Sequence, residues 1–293
     1  MSDSANSSSA NSSSAMSPNN VAVITGGASG IGLAAAMRFA RFGMKVAIAD
    51  IGADRLTNAE AQLSKAPPGG AASVMTMEVD VSRLDAVIKF ESAVRARFGG
   101  TDILMNNAGI GPGSQMFGPR ENWERILGVN LWGIINGVHT FAPALMTQGT
   151  PAVIVNTGSK QGITCPPGDT AYNVSKAGVK AMTEGLQHVL RSTPGCQVSA
   201  HLLVPGWTFT GLTARSGGEK PAGAWWPEQV IDYLLEALGR GDFYILCPDN
   251  DVTRAVDERR ILWAAGDLVE NRPPLSRWHP EYKDAFAEFL ARR

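Results

Sequence analysis

The sequence predicts a single doubly wound α/β domain, a parallel sheet of about seven strands with helices on both faces. Three observations carry that expectation. Short, near-continuous apolar runs recur along the chain, amphipathic stretches of helical spacing separate them, and the first run ends in a glycine-rich turn. Strands that are apolar throughout need cover on both faces, which is how parallel sheets are built.

Taken in order, the strand-like runs are 21–25, 44–50, 73–79, 102–106, 152–156, 197–204 and 243–247. Leu33, Met37 and Ala40 recur at helical spacing between the first two. Further amphipathic stretches occupy 84–98, 123–146, 172–191 and 227–238. The segment of about 208–227 is rich in Gly, Pro and Lys and is expected to be a mobile substrate loop. A helical extension of about 254–293 follows, in which Tyr282, Phe286, Phe289 and Leu290 share one face that must pack on its own core or on another subunit. Residues 1–20 are Ser/Asn-rich and nearly free of large apolar side chains, so they are expected to form a disordered tail ahead of a domain spanning 21–293.

Composition excludes several classes. Net charge is −1 with no basic stripe, which argues against nucleic acid or an anionic membrane as partner. No apolar run approaches the ~20 residues of a membrane span. Cys165, Cys196 and Cys247 are odd in number and lack metal-ligand spacing, so no metal is expected. The N-terminal stretch lacks the basic start and apolar core of a secretory signal, and a cytoplasmic location is expected.

The turn Thr25-Gly26-Gly27-Ala28-Ser29-Gly30-Ile31-Gly32 lies between the first strand and the first helix. Glycines there permit a tight turn and close approach of backbone to a pyrophosphate, while the helix N-terminus offers N–H groups and partial positive charge. Gly26, Ser29, Gly30, Ile31 and Gly32 are therefore candidate dinucleotide contacts. Asp50 ends the second strand, where a carboxylate accepts hydrogen bonds from adenosine ribose hydroxyls and repels the extra phosphate of NADP. NAD is favoured over NADP on that ground. Asp80-Val81 and Asn106-Asn107-Ala108-Gly109 close the third and fourth strands; each reads either as a cofactor contact or as ordinary loop chemistry.

Tyr172 and Lys176 are four apart in a helical stretch and share a face. A phenol has a pKa of about 10 in water, and a neighbouring ammonium and a positive nicotinamide ring both favour its ionised form. Ser159, at the end of the fifth strand, lies 13 residues before Tyr172, so that a hydroxyl and a phenol can converge on one substrate oxygen.

With these motifs in this order, the chain resembles the short-chain dehydrogenase/reductase family, with its Rossmann-type fold, from Val21 to Cys247. The matching elements are TGGASGIG, Asp50, Asp80, the NNAG run Asn106–Gly109, Asn130, Ser159, Tyr172, Lys176 and Pro205-Gly206. The resemblance implies an NAD-dependent oxidoreductase interconverting a secondary alcohol and a ketone. Tyr172 would exchange a proton with the substrate oxygen, Ser159 would hold that oxygen, and Lys176 would bind the nicotinamide ribose and lower the phenol's pKa. Asn130 would hold a water linking Lys176 to solvent. Asn107, Ala108, Gly109, Pro205, Gly206, Thr208 and Thr210 would lie on the cofactor, with Pro205-Gly206 against the nicotinamide and Thr210 near its carboxamide. It also implies a homodimer or homotetramer, paired through the 123–146 and 172–191 helices.

The sequence departs from the family after the fifth strand, where Thr157-Gly158 precedes Ser159; the 13-residue spacing favours Ser159 over Thr157 for the hydroxyl role. Trp207 is expected beside the substrate. Lys160 either meets a polar substrate group or points to water. Aromatic residues around the substrate loop suggest an apolar or aromatic alcohol or ketone. Alternatives are an NADP(H)-dependent carbonyl reductase and a non-catalytic NAD-binding sensor on the same fold.

Overall fold

The computed structural model describes residues 12–66, 68, 70–111, 114–213 and 219–291. Seven parallel strands, β1 (Val21–Thr25), β2 (Lys45–Asp50), β3 (Val74–Glu78), β4 (Ile103–Asn106), β5 (Ala152–Thr157), β6 (Val198–Val204) and β7 (Tyr244–Leu246), pair in the order β3-β2-β1-β4-β5-β6-β7. Between β1 and β4 the winding reverses, and a doubly wound sheet opens a crevice at that point, beyond the carboxyl ends of its strands.

The apolar runs are strands because both faces are covered. β1, β5 and β6 are buried at every position. Their side chains alternate between two cores, as the two-residue period of a strand requires. Ala22 and Ile24 join Phe39, Val46 and Ile48 on one face, where α1 (Gly30–Arg41), α2 (Ala53–Leu63) and α8 (Pro227–Arg240) pack. Val21 and Val23 join Phe90, Phe141 and Val179 on the other, under α3 (Leu84–Phe98), α5 (Gly133–Thr147) and α7 (Thr170–Ser192).

Three features differ from the sequence expectation. The long helix expected over 123–146 is α4 (Arg120–Leu127), a π-turn at Gly128–Trp132, and α5. Residues 12–20, expected within a disordered tail, take part in the fold: a helical turn at 12–15 buries Ala15, and Asn20 Nδ2 donates to the Ala15 carbonyl at 3.1 Å. The part of that expectation covering 1–11 lies outside the described residues. Ala15 joins the hydrophobic core with Met16 packed against it, and Asn19 N donates to the Gly43 carbonyl at 2.9 Å, which anchors a stretch whose composition alone reads as unstructured. The substrate loop, expected to be mobile, is tied down at its two ends: Thr208 bridges Trp225, Phe209 N donates to the Trp225 carbonyl at 2.8 Å, and the Phe209 and Trp226 rings meet edge to face at 5.6 Å. Its central residues 214–218 lie outside the described residues. Of the two places left open for the aromatic face of the C-terminal helix, the structure shows the first: it packs on its own chain. Phe286 and Phe289 of α10 (Lys283–Ala291) each lie 5.2 Å from the Trp263 ring of α9 (Arg254–Val269). Residues 292–293 of the expected helix are outside the described residues.

Candidate active site

All seven strands run in one direction, so Thr25, Asp50, Asn106, Thr157 and Val204 end on the same edge of the sheet, and the candidate residues gather there. The glycine turn is made by steric necessity. Gly26 has φ 64°, and a Cβ on it would stand 2.7 Å from the Ala108 Cα; a Cβ on Gly32 would stand 2.1 Å from the Gly26 carbonyl oxygen. The first turn of α1 carries no acidic side chain, and Arg38 and Arg41 occupy its last turn, the charge arrangement that leaves a helix N-terminus open to an anion.

Asn107 latches this turn to the neighbouring strands. Its Nδ2 donates to the Thr25 and Gly26 carbonyls, both at 3.3 Å, and its Oδ1 accepts from Thr157 Oγ1 at 3.3 Å. The Thr157 hydroxyl is thereby engaged with Asn107. Ala108 N and Asn107 N both donate to Thr25 Oγ1. Thr210, in the substrate loop, reaches back so that a Cβ on Gly30 would meet its methyl at 3.1 Å. Thr208 is buried and donates to the Gly206 carbonyl at 3.2 Å.

The Asp50 carboxylate is held at the β2 tip by two backbone donors, Ala28 N to Oδ2 at 2.9 Å and Ile51 N to Oδ1 at 2.8 Å, with Arg55 3.7 Å away. Asp80 uses Oδ1 to cap the turn into α3, accepting from Ser82 N at 3.0 Å and Ser82 Oγ at 2.7 Å. Val81 is buried, and a Cβ on Gly133 would meet its side chain at 2.6 Å.

Tyr172 and Lys176 stand on α7 with Lys176 Nζ 5.8 Å from the centre of the Tyr172 ring. The Ser159 hydroxyl lies close enough to the Tyr172 phenol to pull its pKa down, which brings together the two residues that the sequence placed at one substrate oxygen. Lys176 is buried and donates to the Thr157 carbonyl at 2.8 Å. Asn130, in the π-turn, accepts from Ile110 N at 2.8 Å and donates to the Ile110 carbonyl at 2.9 Å and to Ser175 Oγ at 3.4 Å. Those bonds occupy both of its donors and leave one Oδ1 lone pair. A Cβ on Gly109 would lie 3.4 Å from that Oδ1 and 3.9 Å from Lys176 Nζ, so Gly109 keeps the space between them clear.

Two expectations change. Burial pushes the Tyr172 phenol up; the Ser159 hydroxyl pulls it back and Asp169 pushes it further, so within this chain alone Lys176 does not set the direction. Lys160, expected either to meet a polar substrate group or to point to water, is paired within the chain: its ammonium lies 3.3 Å from Asp249 and 2.6 Å from Asp257, and its side chain is 19% exposed. Sequence reading also missed Asn156 and Thr183. Asn106 Nδ2 donates to Asn156 Oδ1 at 2.9 Å, and Asn156 Nδ2 donates to Thr183 Oγ1 at 3.1 Å, a buried polar ladder that joins β4 and β5 to α7. The polar residue inside the otherwise apolar run VIVNT was the available signal.

Burial moves Lys176 down to about 8. An unfolded lysine keeps a value of about 10.5, so the unfolded chain binds more protons in between. The penalty of burying the ammonium is full below about pH 8 and fades as pH rises toward the unfolded value. Stability of the cofactor-free protein is therefore expected to rise between pH 8 and 9 by up to about 1 kcal/mol per pH unit from this residue, and Lys176→Met should flatten the rise. Cys247, pushed up to about 12 by burial, acts with opposite sign near pH 9, but cancels when the two proteins are compared. Parallel slopes in thermal or denaturant melts of the two would refute the assignment.

Comparison with known proteins bears on the family. The family model described as short chain dehydrogenase matches residues 20–220. A 1-deoxy-11-beta-hydroxypentalenate dehydrogenase of Streptomyces exfoliatus is 33% identical over 266 residues, covering 88% of this chain and 93% of that protein. A short chain dehydrogenase/reductase from Burkholderia phymatum, solved in complex with NAD, superposes with a TM-score of 0.78 at 30% identity, covering 88% of this chain and 96% of the other. An alcohol dehydrogenase from Thermococcus sibiricus, complexed with 5-hydroxy-NADP, gives 0.71 at 25% identity over 80% of this chain and 98% of its own. Family model, relatives and site geometry converge on one conclusion: the chain belongs to the short-chain dehydrogenase/reductase family and is an oxidoreductase acting on hydroxyl and keto groups.

Proposed function

We propose that this enzyme is an NAD-dependent dehydrogenase interconverting a secondary alcohol and a ketone, with Tyr172 as general acid/base. The observation that carries the reading is the gathering of three groups at the carboxyl ends of the strands: the Ser159 hydroxyl, close enough to the Tyr172 phenol to pull its pKa down, and the buried Lys176 ammonium 5.8 Å from the centre of the same ring. The chain fits a dinucleotide. The cradle at Gly26 and Gly32 is one that any Cβ would fill, and Lys176 retains donors beyond its bond to Thr157.

Gly26, Ser29, Gly30, Ile31 and Gly32 would hold the pyrophosphate. Asp50 would hold the adenosine ribose, Asp80 and Val81 would flank the adenine, and Asn107, Ala108, Gly109, Pro205, Gly206, Thr208 and Thr210 would line the remainder. The bound nicotinamide supplies the hydride acceptor or donor and, when oxidised, a positive charge. Ser159 Oγ donates to the substrate oxygen and orients it. Tyr172 Oη takes the proton from an alcohol, or returns it to a ketone, at that same oxygen. Lys176 would hold the nicotinamide ribose and favour the phenolate that burial disfavours. The remaining Oδ1 lone pair of Asn130 would hold the water that passes the proton onward from Lys176.

The substrate class follows from the walls: Trp207 is 45% exposed, and Phe209, Trp225 and Trp226 anchor the neighbouring loop, which suits an apolar or aromatic alcohol. Exposed Trp132 and Val174 on the π-turn and α7 support a homodimer or homotetramer built on those helices. We place the protein in the cytoplasm, in keeping with three free cysteines among the described residues. No described helix is long and apolar enough to cross a membrane.

The test is a panel of secondary alcohols and ketones offered with NAD(H) and with NADP(H), followed by nicotinamide absorbance. The Asp50 carboxylate should make kcat/KM with NAD at least ~10-fold higher than with NADP, about 1.4 kcal/mol. Arg55 softens the repulsion, so a ratio is expected and not exclusion. Preference for NADP would overturn the Asp50 assignment, and no turnover of any panel member would overturn the reaction.

A further inference from the structure

Lys160 directly follows Ser159, and its ammonium is the meeting point of three segments that are far apart in sequence. Asp249 comes from the loop after β7 and Asp257 from the first turns of α9, in the C-terminal extension. Asp249 Oδ2 also accepts from Trp207 N at 3.1 Å, while its Oδ1 accepts from Val252 N at 2.8 Å and Asp251 N at 3.1 Å. Gly206 is pressed onto the pair: a Cβ there would stand 2.8 Å from Asp249 Oδ2 and 3.1 Å from Lys160 Nζ. The side chains of Asp249 and Asp257 are each 6% exposed, and that of Lys160 is 19% exposed.

Two nearly buried carboxylates share this ammonium, with Arg260 adding a second cation 3.9 Å from Asp257 Oδ1, and such a cluster needs a reason. Removing either side of such a pair strands an uncompensated charge, and an apolar cluster of the same volume would serve stability equally well. What an apolar cluster would not supply is direction. A charged hydrogen-bonding hub fixes where each of the three chains stands relative to the others. Two of those chains carry Ser159 and Gly206–Trp207, which border the site proposed above.

We propose that Asp249 and Asp257 are positioning residues, acting through Lys160, by which the C-terminal extension holds the Ser159 and Gly206–Trp207 segments in register. They touch neither substrate nor cofactor; they set where Ser159 Oγ and the Trp207 ring stand. Catalysis is sensitive to such placement, since an error of about 1 Å transmitted from a distance can cost ~10²-fold. The extension outside the matched family segment is thus part of the site's frame. Its attachment runs through a charge network and not solely through the Trp263–Phe286–Phe289 packing.

The proposal rests on the reading of Ser159 given above, and its test separates the two. Asp257→Asn keeps the shape and leaves Lys160 paired with Asp249; Lys160→Met removes the hub, at a risk to folding that Asp257→Asn avoids. In the full-length chain, hydrogen exchange at 159–164 and 206–209 should quicken at least ~5-fold in Asp257→Asn, with 26–32 unchanged. With an alcohol that the unaltered enzyme oxidises, kcat should fall ~10-fold or more while the Kd for NADH, read by fluorescence, rises by a clearly smaller factor, since Gly206 and Thr208 are the two proposed cofactor contacts in the loosened segments. Unchanged exchange in those two segments overturns the proposal. So does quickened exchange with kcat intact, or a loss of activity matched by loss of NADH affinity. If the unaltered enzyme oxidises no alcohol, the proposed reaction fails and the exchange result alone decides whether the extension holds the two segments.

Discussion

Replacing Tyr172 with Phe is expected to lower kcat by ~10²- to 10⁴-fold, the usual worth of a positioned acid/base, while the Kd for NADH changes less than ~2-fold. The substitution removes one oxygen and keeps the ring, so the packing of α7 and the approach of Lys176 to the ring face at 5.8 Å persist. What is lost is the group that exchanges a proton with the substrate oxygen. Ser159 can still hold that oxygen, but a serine hydroxyl is far too weak an acid to replace the phenol. Burial raises the phenol's pKa in the chain alone, so the activity of the unaltered enzyme should climb with pH in the alcohol-oxidising direction as the phenolate forms. Tyr172→Phe should leave a residual rate without that climb. Turnover within ~10-fold of the unaltered enzyme, or an unaltered pH profile, would rule out Tyr172 as the acid/base.

The sheet was legible because of what a two-sided core demands. A strand such as β6, buried at each of its positions, has no freedom to include solvated residues, so its run of apolar side chains announces it. The helix α2 was not anticipated although Leu56, Ala59 and Leu63 keep helical spacing, because that stripe is narrow and the small Ala59 at its middle weakens the contrast with the polar side chains around it. The π-turn at Asn130 was invisible for another reason: one extra residue per turn barely disturbs an apolar spacing over the long stretch containing it. In the site, local motifs were readable. The glycine turn, Tyr172 with Lys176, and Ser159 each have their chemistry written within a few residues. The partners of Lys160 were not, because Asp249 lies 89 positions away and nothing in either local sequence names the other. The same holds for Asn156 and Thr183, joined across β5 and α7. Sequence shows which groups are present, whereas only the fold shows which charge is already spent.

The glycine turn yields the second large effect, through backbone sterics. Gly32→Ala adds one methyl whose carbon would stand 2.1 Å from the Gly26 carbonyl oxygen and 2.7 Å from Asn107 Nδ2. Real Cβ atoms do not approach so closely, and the obstacle is main chain, so no rotamer change relieves it. Either α1 slides away from the turn or the turn opens, and both move the N–H groups at the head of α1 away from their present line. Forced overpacking of this kind costs about 1–3 kcal/mol in stability. The cofactor should suffer more, because several backbone donors are displaced together: the Kd for NADH is expected to rise ~100-fold or more, about 2.7 kcal/mol. Gly100→Ala is the matched comparison. No atom lies within 4 Å of a Cβ at Gly100, which precedes β4 at the end of the sheet opposite the site. That substitution should leave NADH affinity unchanged and stability within ~0.5 kcal/mol. Equal effects of the two would mean that the tight turn is not where the dinucleotide binds. A Gly32→Ala protein that loses stability yet binds NADH normally would move the pyrophosphate away from the head of α1.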